Sequence, residues 1–178
     1  MSVDHKEIEQ RLRNDHELQE MLALVATLHL PDWWICAGVL RSKIWNVERQ
    51  ATSDIDIVYF DPTDLSEATE KRHEEQLRKL LDLPWSVKNQ TRMHLVNGLP
   101  PYQSATDAIS KFPETVTAIG VTRRPDFELY FSYGADDFMD WIIRPTPPFQ
   151  VGTARHSIFQ RRVIEKGWQD DPGLQICK

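Results

Sequence analysis

Two acidic residues alternate with apolar ones at the head of the run Asp54-Ile55-Asp56-Ile57-Val58-Tyr59-Phe60, and this run most constrains the fold. Its period of two and its β-branched and aromatic content predict a strand, which Asp61-Pro62 then ends. Alternation puts Asp54 and Asp56 on one face, with Cα atoms about 7 Å apart, and Ile55, Ile57 and Tyr59 on the other. Upstream, Trp33-Trp34-Ile35-Cys36-Ala37 predicts a shorter strand, Gly38 a turn, and Val39 to Val47 a helix. A strand, a glycine turn, a helix and an acidic strand therefore follow one another.

The flanks fill out a mixed α and β chain. Apolar residues recur every three or four positions from Ile8 to Leu28, predicting a helix over about residues 5–30 that Pro31 ends. A charged helix is expected over 65–81, a third strand over 85–95, a short helix over 105–111 and further strands over 115–122 and 127–131. An acidic helix from Asp136, a proline-rich hinge at 144–148 and a last helix over 153–166 follow. The expected fold is α+β (α/β): a mixed sheet of about five strands with flanking helices. At 178 residues the expectation is a single domain, 1–178, with the first and last helices packed onto it.

Charge and hydropathy narrow the function. Lys and Arg number 21 against 27 Asp and Glu, a net charge of −6, which argues against long nucleic acid as a partner. The longest mainly apolar stretch, Met21 to Leu30, is about half of a membrane span, so no span is expected. The first residues lack the apolar centre of a secretory signal, and the only cysteines are Cys36 and Cys177; a reducing cytoplasm is the expected location.

Carboxylates on one strand face repel unless a cation or basic side chains neutralise them. One reading is a divalent cation, Mg2+ or Mn2+, since such an ion takes one or two carboxylates and fills its shell with water and substrate phosphates. The other is a solvated face paired with Arg41, Lys43 or Arg49. Gly38 before a helix, with the free N–H groups of the first turn, suits a phosphate, and Arg41 and Ser42 fall where they could grip one or orient Asp54; the alternatives are a plain strand-to-helix turn and a structural ion pair. On the expected third strand Lys88, Gln90, Arg92 and His94 share a face. If that face lines the cleft, Arg92 neutralises a phosphate and His94 takes a proton from an acceptor hydroxyl; otherwise it is a solvated surface.

The arrangement resembles the nucleotidyltransferase superfamily that includes DNA polymerase beta and the antibiotic nucleotidyltransferases. The blocks Ala37-Gly38-Val39-Leu40-Arg41-Ser42, Asp54-Ile55-Asp56-Ile57-Val58-Tyr59-Phe60-Asp61, Lys88-Asn89-Gln90-Thr91-Arg92-Met93-His94 and Phe112-Pro113-Glu114-Thr115 are similar to a bacterial nucleotidyltransferase-like family. The resemblance implies Asp54 and Asp56 as metal ligands and Glu128 as a third carboxylate of the site. It also implies a nucleoside triphosphate as partner and transfer of its nucleoside monophosphate to a hydroxyl or phosphate acceptor. Active members usually carry a second small residue after the glycine, where this chain has Val39. The alternative is a non-catalytic relative that binds a nucleotide or only a protein.

Overall fold

The computed structural model describes residues 3–48 and 53–177. The expected helix over 5–30 is two helices, α1 (Val3–Asn14) and α2 (His16–Ala26). Asp15 breaks them: its extended backbone and its carboxylate, accepting from the Leu18 N–H at 2.7 Å, cap the second helix. Strand β1 (Trp34–Cys36), helix α3 (Gly38–Trp45) and strand β2 (Ile55–Tyr59) follow as the pattern requires. After helix α4 (Glu67–Leu80) and strand β3 (Trp85–Asn89) the chain turns into short helix α5 (Gln90–Met93) and a 3-10 turn at His94–Asn97. Helix α6 (Ala105–Ile109), strands β4 (Ile119–Arg123) and β5 (Phe127–Phe131), helix α7 (Asp136–Met139) and helix α8 (His156–Glu165) complete the main elements.

The five strands form one mixed sheet in the order β3-β2-β1-β4-β5. Only the β2–β3 pair is parallel; β1 runs antiparallel to both β2 and β4, and β4 to β5. Ile35, Ile55, Ile57, Val87, Ile119 and Val121 are fully buried on the face covered by the first helices. The opposite face carries Trp34, Cys36 and Val58, packed against Ala105 and Ile109 of α6. By alternation Asp56 belongs to this second face, so a strand whose apolar side is locked in the core presents its carboxylates outward.

The third strand is shorter than the alternation suggested, because Asn89 ends it. Its side-chain oxygen accepts from the N–H groups of Thr91 and Asp61, and its amide donates to the carbonyls of Asp61 and Asp64. That capping tips Gln90 into a helix, so Gln90, Arg92 and His94 do not continue the face of Lys88. No helix among the described residues is long and apolar enough to cross a membrane.

Candidate functional site

The site begins at Ala37, between β1 and α3. Its backbone sits at φ +61°, ψ −127°, a conformation that an L side chain rarely adopts. Its N–H donates to Ile119, and its carbonyl accepts from the N–H groups of Leu40 and Arg41. The turn expected at Gly38 has its positive φ one residue earlier, at Ala37. Gly38 has no positive φ, and a Cβ there would meet only the end of the Arg41 side chain, at 3.9 Å. Val39 is 2% exposed and belongs to the core. The small pair at the start of the helix is therefore Ala37-Gly38, and Val39 does not obstruct approach to the first-turn N–H groups.

A cleft of about 470 Å³ opens here, lined by Gly38, Arg41, Ser42, Asp54, Asp56 and residues of the C-terminal segment. Asp54 is exposed and Asp56 partly buried, beside Cys36 of β1 and Ser86 of β3. Burial, then the neighbouring Asp54, push the Asp56 carboxyl up to about 6, while Arg162 and Lys166 oppose the rise. Arg41 lies over the rings of Trp168 and Trp45, 5.0 and 5.7 Å from their centroids. Burial lowers it to about 10, which leaves it charged at neutral pH.

The C-terminal segment supplies cations that the pattern did not reveal. Arg162 and Lys166 line the cleft with Trp168, on α8 and just after it. Arg162 is held by Glu114, a fully buried carboxylate that accepts from Nε at 2.5 Å and from an Nη at 3.2 Å. Burial alone would lower Arg162, but the hydrogen bond and charge of Glu114, with Asp56 adding, raise it above its ordinary value. Glu114 also accepts from the Thr117 hydroxyl at 2.8 Å. The one signal for this support was Phe112-Pro113-Glu114-Thr115, which marked a resemblance and carried no role.

Three expected site residues lie elsewhere. Glu128 stands on β5, paired with Thr122, and two further strands, β4 and β1, separate β5 from β2. Three inter-strand steps of about 4.8 Å put its backbone roughly 14 Å or more from Asp56. In the register, Asp56, Cys36, Gly120 and Tyr130 form one row, and Glu128 is displaced from it in the direction opposite to Asp54. Glu128 is thus not a third carboxylate of this cleft. Arg92 donates to Glu70 at 2.6 Å and pairs with Glu67 at 3.3 Å on α4. His94 bonds through Nδ1 with the Thr91 carbonyl and lies edge-on to Tyr102. Neither lines the cleft. Of the alternative partners of the carboxylates, Arg41 lines the cleft with them, Lys43 pairs with Asp15 and Glu17, both at 2.7 Å, and Arg49 lies outside the described residues.

Asp54 and Asp56 remain as candidate metal ligands. Among the described residues no group of three or more His, Cys, Asp or Glu side chains is placed to hold an ion. Two carboxylates are a donor set that Mg2+ or Mn2+ accepts, without forming a closed protein cage.

Comparison with known proteins agrees with this architecture. A nucleotidyltransferase family model matches residues 23–176. An NMR structure described as revealing a CCA-adding enzyme head domain is 34% identical, covers 97% of this chain and 95% of its own, and superposes with a TM-score of 0.83. A CCA-adding enzyme in complex with CTP is 12% identical, with 100% of this chain and 44% of that one covered, at a TM-score of 0.64. The Thermotoga maritima CCA-adding enzyme complexed with tRNA is 11% identical, with 96% and 42% covered, at 0.60. These two share the fold, and this chain spans under half the length of each. No proteins with curated descriptions matched in sequence. With the family model matched over most of its length and a 34% identical structure covered almost end to end, the chain belongs to the nucleotidyltransferase family.

Proposed function

We propose that this cleft transfers a nucleoside monophosphate from a metal-bound nucleoside triphosphate to a hydroxyl or phosphate acceptor. The observation behind this reading is the convergence of Asp54 and Asp56 with the N-terminus of α3 and three cations, Arg41, Arg162 and Lys166, in one cleft. The two carboxylates would hold Mg2+ or Mn2+, which when bound neutralises phosphate charge and aligns the triphosphate. The α3 N–H groups, Arg41 and Ser42 bind the phosphate chain. The acceptor oxygen bonds to the α-phosphorus, a hydroxyl acceptor losing its proton to water, as the bond to the bridging oxygen breaks, and pyrophosphate leaves. Arg41, Arg162 and Lys166 stabilise the charge that builds up on it. Glu114, by fixing Arg162, is a positioning residue.

A second reading is a relative that binds the nucleotide without turning it over, and the distance of Glu128 from the cleft favours it. Thermal shift with each nucleoside triphosphate, with and without Mg2+, tests binding, because a ligand of the folded state raises its stability by mass action. The transfer reading expects a rise that needs metal and nucleotide together, with pyrophosphate released from at least one triphosphate once an acceptor is supplied. Metal-dependent binding without release across a panel of sugar, phosphate and RNA acceptors supports the second reading. No shift with any nucleotide contradicts both.

A further inference from the structure

Along β2 the cleft lies toward Asp54, and toward Val58 the same sheet face opens into a second chamber of about 220 Å³. The two spaces share Ala37, Asp56, Thr117 and Arg162, so anything occupying both is continuous past Asp56. The chamber is smaller than the several hundred Å³ that hold a whole ligand, and suits one part of one.

Its chemistry differs from that of the cleft. Val58, Met93 and Phe112 supply apolar walls. Of its cations, Lys88 is paired with Glu70 at 3.4 Å and Glu74 at 3.8 Å, Lys111 with Asp107, and Arg162 with Glu114. Each positive charge in the wall thus has a carboxylate partner, and Arg162 is the one cation of the described lining that the chamber shares with the cleft. Apart from Asp56, whose charge the two spaces share and which repels an anion, the free polar capacity is neutral: the Asn97 side-chain amide and the Tyr102 hydroxyl make no hydrogen bond to another described residue, and neither is sealed from solvent. An uncharged, flat occupant with amide-like donors and acceptors meets these conditions, whereas a phosphate or an acidic acceptor does not.

We infer that this chamber receives the base of the nucleotide whose triphosphate lies in the cleft, with Asn97 and Tyr102 bonding to the base edge and Phe112 and Met93 packing on it. The inference rests on the transfer reading of the Asp54–Asp56 cleft. Titration calorimetry on the full chain separates the two, using Mg2+ with inorganic tripolyphosphate as the probe for the cleft alone and Mg2+ with ATP, CTP, GTP or UTP for cleft and chamber together. At least one nucleotide is expected to bind about tenfold tighter than tripolyphosphate. Asn97→Ala and Tyr102→Phe should each weaken that nucleotide about threefold or more, near one hydrogen bond, while leaving tripolyphosphate affinity unchanged. Equal binding of tripolyphosphate and every nucleotide by the unmodified protein overturns the inference but leaves the cleft reading standing. Unchanged nucleotide affinity in both variants, or equal losses for both probes, overturns it in the same way. Absence of binding by any probe removes the cleft reading and this one together.

Discussion

Two pairs of carboxylates flank neighbouring strands of this sheet, and they are treated in opposite ways. Glu70 and Glu74 of α4 are buried against edge strand β3, and their oxygens accept from its outward N–H groups, Asn89 at 2.8 Å and Val87 at 3.1 Å. These are bonds that a further strand would otherwise supply, so the pair seals a sheet edge. Lys88 and Arg92 complete Glu70, and Lys71 and Lys88 complete Glu74. Burial pushes the Glu74 carboxyl up, but Lys71 and the Val87 N–H outweigh it and the net shift is downward. Asp56 shifts the other way, to about 6, because the same burial is joined by a like charge and only partly offset by more distant cations. Acidic pairing alone does not mark a site. A pair left undercompensated by its own fold, beside a helix terminus and an open cleft, does.

The largest effect should come from unmaking the compensated pair. Glu70→Ala strips Arg92, Lys88 and a buried N–H of their acceptor, and is expected to lose about 3–5 kcal/mol of stability, measured by denaturant unfolding. A loss under about 1 kcal/mol would mean that the Glu70 pairings are ornamental and the contrast between the pairs is false.

The opposite sign is expected at the cleft. A carboxyl whose folded pKa is raised gives stability that is present below about pH 4 and lost as pH rises through about 6. Asp56→Asn removes that loss. It should stabilise the unliganded protein at pH 7 by on the order of 1–2 kcal/mol, discounted for partial exposure, and make no difference near pH 4. Unfolding curves at the two pH values check this. A destabilised variant at pH 7 would make Asp56 a structural residue like Glu70. By the same protonation, Mg2+-dependent nucleotide affinity of the unmodified protein should weaken as pH falls below about 6.

Arg41 sharpens the comparison from the cation side. Lysine keeps the charge but loses the planar stacking on Trp168 and the forked donors, so Arg41→Lys should weaken Mg2+-tripolyphosphate binding about three- to tenfold in calorimetry with little change in unfolding. The smallest effect belongs to Ala37. Glycine adopts φ +61° without strain, so Ala37→Gly should gain roughly 0.5–1 kcal/mol, net of the entropy lost by a freer unfolded chain.

The acidic strand was legible because the period-two pattern of residues 54–60 records a local fact: one face of that strand is in the core. The strand, helix, strand unit and the mixed sheet followed from similarly local signals. Arg92 and His94 were misplaced because alternation was extended through Asn89, whose capping bonds depend on where Asp61 and Asp64 come to lie. Glu128 has the apolar flanks of a site strand, but strand order is a long-range property, and it puts two strands between Glu128 and the carboxylates. Arg162 and Lys166 lie more than a hundred residues from Asp56 in sequence, on a helix whose approach no local pattern encodes. Asp15 escaped notice because the apolar period of three and four runs on across the break that it caps.

If one carboxylate pair serves structure and the other function, calorimetric titration of Mg2+ with nucleoside triphosphates tells them apart. It needs the unmodified protein, Asp56→Asn and Glu74→Gln, a milder change at the compensated pair that should leave most of the chain folded. Metal-dependent binding is expected for the unmodified protein, binding within about twofold of it for folded Glu74→Gln, and none for Asp56→Asn despite its higher stability. Retained metal-dependent binding in Asp56→Asn, or its loss in folded Glu74→Gln, would contradict this division between the two pairs.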